Sequence, residues 1–495
     1  MRDEGKPVTI DELDIPIFFV KRLGDRQFVI GGGGGSSKTG VPNVVYLFSL
    51  TNRNGKTFLR QSQKVDVGSG CPRNIAVYEI TSSSRSPIVL DPRPRLLEAR
   101  NKSDGVEEKT QPGGSQLRSG AVLTKAERVE KEMRLLLDNA RELIAVGMDN
   151  LCGIYQVQRS LCKGIQQENG AAGEPGPAIV SKDDLLTISF REQFETVAGV
   201  DATQQCCVFL PPDPTKRSNV QYDDPAQGLS PDANLATGGS DGFIRIWDAA
   251  EFDELFNIKA HDDEVVDMDL SFTGDEVVTC GRDNKAHVWQ LKTGKRIASP
   301  LPEFPEAKVV DYRPRQVRFH AKDSAVLYAI WVPLKRQRPR PQPSVICMYR
   351  FRTSKLALVV STPVKGDLLC ALTVSPCGYY VACGNLDGDV RIFRSDNLSL
   401  IYSAVQAHGT FVTDLEFTDC TFGAKILTQT SNAQCTVFSV SADRKIVMHQ
   451  ADFLNATLRK WKRYMKIIPL IWLVIVLFTQ LMDYIGYFEL EAAQL

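Results

Sequence analysis

The sequence predicts an all-β fold, a propeller of seven four-stranded blades, with a single transmembrane helix at its C-terminus. Three observations lead to this fold class: two aligned stretches ending in tryptophan lie one blade length apart, seven strand patterns recur, and an uncharged apolar segment lies near the C-terminus. We expect the propeller over residues 14–452, a basic juxtamembrane linker over 453–466, the transmembrane helix over 467–487 and a short tail over 488–495.

The composition fits a large folded chain without a net field for nucleic acid. The chain has 495 residues, 43% of them hydrophobic, and its 59 Lys and Arg balance its 59 Asp and Glu. Its 12 cysteines include no C-x-x-C pair, which favours a reducing compartment and argues against a zinc site. The charged N-terminus lacks the apolar region of a signal peptide.

A glycine-rich stretch over 31–43, reading GGGGGSSKTGVPN, lies between two strand patterns at Arg26–Ile30 and Val44–Phe48. It is not a phosphate-binding P-loop, because Ser37 takes the place of the last glycine and Pro42 leads into a strand where a helix is required. Two interpretations stay open on these residues. The stretch is either a flexible hairpin tip or a shaped loop whose carbonyl and amide groups face a partner or an ion.

The centre of the chain contains the clearest repeat. Leu235–Asp248 reads LATGGSDGFIRIWD and Val277–Trp289 reads VVTCGRDNKAHVW, so that Trp247 and Trp289 are 42 residues apart. This spacing is typical of WD repeats, each of which forms one four-stranded sheet. The sequence therefore predicts a seven-bladed WD-repeat β-propeller.

Polar residues recur at matching places in these repeats. WD repeats link a loop histidine, a hydroxyl, a turn aspartate and a tryptophan by hydrogen bonds, and those roles fall here to His261, Thr279, Asp283 and Trp289. A second set has His449 in the place of the tryptophan and otherwise consists of His408, Ser439 and Asp443. A hydrolase triad is the competing interpretation. Recurrence at blade spacing favours a structural role, because an imidazole can donate from one nitrogen and accept on the other.

The strand that ends each blade can be placed from the sequence. These strands are Val44–Phe48, Cys152–Val157, Phe243–Asp248, Ala286–Gln290, Val345–Tyr349, Asp389–Phe393 and Lys445–His449. Seven blades close a ring without a long bare sheet edge. A polar insertion over 81–134 and a basic, proline-rich loop over 333–343 interrupt them, and the second is either a solvated loop or a contact for an acidic partner.

The C-terminal segment Ile467–Met482 has no charged residue, and eleven of its residues are Ile, Leu, Val or Phe. A buried core helix is the alternative to a membrane span, but the segment has no polar face. The segment contains Trp472, and the basic residues that precede it include Lys462, Arg463 and Lys466. No Lys or Arg follows it, so the positive-inside rule places the propeller in the cytosol and the tail in the lumen. The length suits the thin endoplasmic reticulum bilayer.

Several stretches together resemble one family. They are GGGGSSKTG at Gly32–Gly40, TGGSDGFIRIW at Thr237–Trp247, AHDDEV at Ala260–Val265, GRDNKAHVW at Gly281–Trp289 and AHGTFVTDLEF at Ala407–Phe417. With the C-terminal span, they are similar to the prolactin regulatory element-binding proteins. These are the endoplasmic reticulum guanine-nucleotide exchange factors for the Sar-type GTPase of the COPII pathway. A generic WD propeller would share the blades but neither the loop nor the span.

This resemblance implies a non-covalent catalyst of GDP/GTP exchange at the cytosolic face of the endoplasmic reticulum. The balanced net charge argues against a nucleic-acid partner. The Sar-type GTPase would be the main partner, with COPII coat or exit-site proteins as further ones. The GTPase-facing exchange loop would consist of Gly32, Gly33, Gly34, Gly35, Lys38, Thr39, Gly40, Pro42 and Asn43. In the family a potassium ion orders this loop, and its ligands here would be Gly33, Gly34 and Asn43. This chain departs from the family by an extra residue in the run and by Lys38, whose charge competes for the same acceptors.

Two other functions stay open on the sequence. The chain could be a membrane-tethered WD-repeat scaffold without exchange activity, which a GDP-release assay separates from an exchange factor. It could also be a DNA-binding transcriptional regulator, as the basic stretch Lys335–Arg340 suggests. Zero net charge and the predicted span argue against the second.

Overall fold

The structure is a computed structural model. It describes residues 7–24, 26–35, 40–53, 56–78, 142–161, 184–199, 201–210, 234–248, 252–302, 312–335, 342–352, 355–364, 366, 368–419, 428, 433–452, 468–469 and 471–480.

Seven antiparallel sheets of four strands form the propeller, as the sequence predicts. Blade one consists of β2 (Ile17–Leu23), β3 (Gln27–Gly32), β4 (Val44–Arg53) and β5 (Lys56–Asp66). Blade two consists of β6 (Pro72–Tyr78), β7 (Glu142–Met148), β8 (Leu151–Leu161) and β9 (Asp184–Glu195). Blade three consists of β10 (Gln204–Leu210), β11 (Asn234–Gly239), β12 (Phe243–Asp248) and β13 (Glu254–Lys259). Blade four consists of β14 (Val265–Leu270), β15 (Glu276–Gly281), β16 (Ala286–Gln290) and β17 (Lys295–Ala298). Blade five consists of β18 (Tyr312–His320), β19 (Asp323–Pro333), β20 (Ser344–Arg352) and β21 (Lys355–Val364). Blade six consists of β22 (Leu369–Val374), β23 (Tyr380–Asn385), β24 (Val390–Arg394) and β25 (Leu400–Ala404). Blade seven consists of β26 (Val412–Phe417), β27 (Ala433–Ser441), β28 (Lys445–Asp452) and β1 (Val8–Glu12).

The first strand of the chain closes the ring by joining the last blade. Strand β1 pairs with β28, with Val8 opposite Met448, so the seventh sheet combines both ends of the propeller. The expected start of the propeller at residue 14 is therefore too late. Strand β1, VTIDE, alternates apolar and polar residues, but it is only five residues long, mostly exposed and set in a charged N-terminal stretch, so it does not stand out in the sequence.

The seven strands placed from the sequence are the third strands of their sheets, and each has an outer neighbour. The prediction that these strands end their blades is therefore wrong, because a fourth strand lies beyond each of them at the outer edge of its sheet. Outer strands such as β13 and β17 are largely exposed, which explains why their residues show little apolar pattern. The predicted strand Asp389–Phe393 starts one residue too early, because β24 begins at Val390.

The core consists of seven apolar clusters, one between each pair of neighbouring blades. The cluster between blades seven and one includes Phe28 and Phe438, whose rings meet edge to face at 4.9 Å. Equivalent clusters fill the other six junctions. Each sheet therefore buries apolar side chains on both faces against its neighbours.

Polar groups of the innermost strands link the blades around the central channel. Asp267 of β14 accepts a hydrogen bond from the Val317 N–H of β18, at 3.0 Å, and pairs with Arg318. Asp414 of β26 likewise accepts from the Val20 N–H of β2 at 3.1 Å. Carboxylates of one inner strand thus satisfy backbone donors of the next.

The described residues of the predicted span, 468–469 and 471–480, are helical and most of their apolar side chains are exposed. Trp472 is among them. Within the parts of the chain that the structure describes, no helix is long and apolar enough to cross a membrane. Lys462, Arg463 and Lys466, the linker 453–466, the tail 488–495 and the insertion 81–134 lie outside those parts.

Candidate functional site

The glycine-rich loop connects β3 to β4 in the first blade. Strand β3 continues through Gly32, and Gly31 and Gly32 pair with Val45 and Val44. The loop expected over 31–43 therefore starts at Gly33. Lys38 and Thr39 lie outside the described residues, since positions 36–39 are not described.

The first three glycines are required by close packing. A Cβ on Gly31 would lie 2.3 Å from an aromatic ring of β2, and one on Gly32 would lie 1.9 Å from the Pro16 carbonyl oxygen. A Cβ on Gly33 would lie 2.3 Å from Asn43 Oδ1. Backbone approach this close is open only to glycine. Packing therefore accounts for the glycines at the base of the loop.

Asn43 holds the two ends of the loop together. Its Oδ1 accepts a hydrogen bond from the Gly35 N–H at 3.0 Å, and its Nδ2 donates to the Gly35 and Gly68 carbonyl oxygens at 3.3 and 3.0 Å. Its own carbonyl oxygen accepts from the Val67 N–H at 3.0 Å. The residue is only 4% exposed. We call this arrangement the Asn43 clamp.

The clamp also relies on backbone shapes that favour glycine. Gly35, Gly40 and Gly68 have φ of 78°, 75° and 86°, in the left-handed region. Gly35 packs over Cys71, since a Cβ on it would lie 3.7 Å from the Cys71 Cβ. The base of the loop is thus a defined structure, and the interpretation as a flexible tip does not apply to it.

The described residues of the loop differ in their exposure. Gly34 and Gly35 are half-buried, whereas Gly40 and Pro42 are exposed. Among its described residues, the loop therefore has a buried base at Gly33 and Asn43 and exposed positions at Gly40 and Pro42, as a contact loop requires.

The donor set assigned to potassium fits a hard cation. Gly33 and Gly34 offer carbonyl oxygens, and Asn43 offers an amide oxygen, which carries two lone pairs. The Gly35 N–H engages one of those lone pairs.

The first histidine set forms a continuous chain in the fourth blade. His261 Nδ1 lies 3.0 Å from Asp283 Oδ1, and His261 Nε2 lies 2.9 Å from Thr279 Oγ1. Trp289 Nε1 donates to the same hydroxyl at 3.1 Å. Because an indole N–H only donates, the Thr279 hydroxyl donates to His261 Nε2, and His261 Nδ1–H donates to Asp283. Burial lowers the pKa of His261, so the imidazole is neutral and its role is structural.

The second set extends across two blades. His408 contacts Asp443 at 3.1 Å and Ser439 at 2.6 Å, and Ser439 contacts His449 Nε2 at 2.7 Å. His449 Nδ1 then lies 3.2 Å from the Tyr402 hydroxyl of the sixth blade. Burial lowers the pKa of His449 to about 3. Sequence reasoning missed Tyr402, because nothing in the repeat marks an outer strand of the neighbouring blade as a partner.

His287 comes close to the first set without forming a usable metal site. One ligand atom each of His261, Asp283 and His287 lies within 4.8 Å of the others. The two imidazole rings are stacked, with centroids 5.2 Å apart and planes only 18° from parallel. A nitrogen lone pair lies in the plane of its ring, so near-parallel stacked rings do not aim at one ion. His287 also contacts Ser299 at 2.8 Å.

Comparison with known proteins agrees with this architecture. The family profile of the WD domain, G-beta repeat, matches residues 224–248 and 252–290. The chain is 27% identical over 350 residues to the guanine nucleotide-exchange factor SEC12 of Rattus norvegicus, covering 66% of this chain and 78% of that protein. The SEC12 protein of Mus musculus is also 27% identical, over 341 residues and the same shares. The SEC12-like protein 2 of Arabidopsis thaliana is 26% identical over 210 residues, 42% of this chain and 50% of that protein.

The similarity to the two SEC12 proteins spans two thirds of the chain, far more than the two matched repeats. The resemblance drawn from the sequence is therefore confirmed. This seven-bladed propeller with WD repeats is similar, over two thirds of its length, to the SEC12 guanine nucleotide-exchange factors.

Proposed function

We propose that the chain is a guanine-nucleotide exchange factor for a Sar-type small GTPase. In this proposal it acts at the cytosolic face of the endoplasmic reticulum, where exchange starts COPII coat assembly and transport to the Golgi. Similarity to two proteins named as SEC12 exchange factors supports the exchange activity. The single observation that carries the proposal is the Asn43 clamp, which gives the glycine-rich loop a fixed base.

A fixed base matters because binding is weakened by every group that must be ordered in the complex. A free run of glycines would lose a large amount of backbone entropy on contact with a partner. Here Gly33 to Gly35 are already held by the clamp and by the Gly33 N–H, which donates to the Pro16 carbonyl oxygen at 3.1 Å. Binding energy can then be used to distort the partner.

Exchange by such a loop is a coupling between two binding events. A factor that binds the nucleotide-free GTPase more tightly than the loaded one must weaken the nucleotide by the same factor. Each tenfold weakening requires about 1.4 kcal/mol. Useful exchange therefore needs several contacts, from the loop and from the propeller face beside it.

The mechanism makes no covalent bond and needs no nucleophile or general base. The histidines and hydroxyl groups of the two hydrogen-bond chains are buried, and their aspartates lie half-buried in turns, so these groups serve the fold. Catalysis in this proposal is the non-covalent release of nucleotide.

A potassium ion is part of the proposal. Gly33, Gly34 and Asn43 would hold it through oxygen atoms, and its positive charge would offset the closely spaced carbonyl dipoles of the loop. The chain's own residues already fix the base of the loop, and the ion would add a further link between Asn43 and the glycines of that base.

Attachment to the membrane is also proposed, through the apolar segment 467–487 and the basic residues before it. Removal of residues 459–495 should move the protein from the membrane fraction to the soluble fraction. A truncated protein that still sediments with membranes would contradict this part of the proposal.

The experiment that tests the exchange function is release of labelled GDP from a purified Sar-type GTPase. The full chain, in liposomes, should accelerate release well above the intrinsic rate. A membrane-tethered scaffold would bind partners and leave the rate unchanged.

A further inference from the structure

The described part of the propeller has a second feature beside the loop, at the mouth of the central channel. A hollow of about 510 Å³ opens there. Its lining includes Phe18, Cys71, Arg73, Arg315, Leu386 and Phe411. We call it the mouth hollow. Its volume lies in the range of roughly 300–1,000 Å³ typical of ligand pockets, so it can take a few side chains.

The mouth hollow adjoins the glycine-rich loop. Cys71 lines the hollow and also lies under Gly35, at the base of the loop. Leu386 lies in the connection between β23 and β24, which corresponds in its blade to the connection that forms the loop. Strands alternate in direction, so equivalent connections emerge on the same face of the propeller. A protein seated on the loop would therefore cover the hollow as well.

The chemistry of the mouth hollow is apolar and positive. Phe411 and Leu386 are 42% and 38% exposed, although both are large hydrophobic residues. Arg315 is exposed and forms no ion pair with another described residue, and Arg73 makes only a loose one, 3.6 Å from Asp149. No carboxylate is among the described residues that line the hollow. Exposed aromatic and arginine side chains around a concavity are typical of the centres of protein interfaces.

We propose that the mouth hollow receives an acidic segment of the GTPase that carries a bulky apolar side chain. This inference rests on the proposed exchange function and adds a second docking point to the loop. The apolar side chain would cover Phe411 and Leu386, and a carboxylate beside it would pair with Arg315. The partner's segment must be acidic because the hollow offers two arginines and no acid of its own.

The test uses the full chain in liposomes and the purified Sar-type GTPase, and measures both the affinity for the nucleotide-free GTPase and the GDP-release rate. Arg315→Glu and Phe411→Asp should each lower both quantities by about tenfold or more, because a charge reversal or a buried carboxylate opposes the contact. Two matched controls lie away from the hollow: Arg296→Glu on the outer strand β17, and Phe272→Asp in the turn between β14 and β15. Both should stay within about twofold of the wild type.

Three results would overturn the inference. The first is unchanged GTPase affinity and GDP release in both hollow variants, together with slower GDP release in Asn43→Ala. This result would support the exchange function and exclude the hollow as a GTPase contact. Lost binding of Arg315→Glu to anionic vesicles, with unchanged affinity for the GTPase, would assign the hollow to a lipid headgroup. A wild-type chain that neither binds the GTPase nor releases GDP would contradict both the inference and the proposed function. A GTPase carboxylate whose reversal to lysine restores binding of Arg315→Glu would identify the contact directly.

Discussion

Replacing Asn43 by alanine removes the clamp and leaves the sheets intact. Three side-chain hydrogen bonds are lost, two to Gly35 and one to Gly68. Each contributes about 0.5–1.5 kcal/mol net, so their sum is about 3 kcal/mol. This amount changes the ratio of ordered to open loop by roughly a hundredfold. We expect GDP release to fall by up to about the same factor, because the open loop must be ordered again on the GTPase.

Two assays on the same preparation test this expectation. Hydrogen exchange should show faster exchange at the Gly35 amide, and labelled-GDP release should slow. The seven apolar clusters are untouched, so the melting temperature should stay within about 5 °C of the wild type. Asn257→Ala is the matched control, because it removes one exposed side-chain hydrogen bond on the outer strand β13. Wild-type GDP release from Asn43→Ala, with the loop amides exchanging faster, would refute the argument that clamp order drives exchange.

Three further predictions follow from the buried polar groups and the loop. His261→Ala should lower the free energy of unfolding by about 2–4 kcal/mol, measured with denaturant, because it leaves Thr279 and Asp283 without their partner. GDP release per folded molecule should not change, and a specific loss of release would contradict the structural role. Stability should also fall as the pH drops below about 6.5, since burial lowers the pKa of His449 to about 3 and the unfolded chain binds the proton first. Urea titrations should show that His449→Gln reduces the dependence of the unfolding free energy on pH by about 1.4 kcal/mol per pH unit between pH 6 and 4. An unchanged pH dependence would contradict the low pKa of His449. GDP release should be faster in potassium than in sodium at equal ionic strength, and equal rates would remove the ion from the proposal.

Much of the propeller could be predicted from sequence because the third strands carry its most regular pattern. Apolar alternation, a turn aspartate and a tryptophan recur at fixed spacing, as in strand β16, which contains Trp289. The outer strands could not be placed, because exposed strands such as β17 need no apolar side chains. Strand β1 was missed because it is only five residues long and lies in a charged N-terminal stretch, and its pairing with β28 identifies it.

The candidate site could be located from sequence but not explained by it. The sequence predicted that the glycines and Asn43 form a contact loop, but it did not explain why each position requires a glycine. Gly32 is a glycine because the Pro16 carbonyl oxygen lies in the way, and Pro16 belongs to a neighbouring strand connection. Tyr402, which extends the second hydrogen-bond chain, also comes from another blade. Contacts of this kind depend on how elements meet in space, which local sequence patterns do not encode.

The most direct test of the central claim is labelled-GDP release from a purified Sar-type GTPase, with and without the full chain in liposomes. An unrelated small GTPase serves as the control. We predict at least about tenfold faster release from the Sar-type GTPase and no change for the control, which corresponds to a coupling of about 1.4 kcal/mol or more. Release at the intrinsic rate in the presence of saturating, folded wild-type chain would contradict the account.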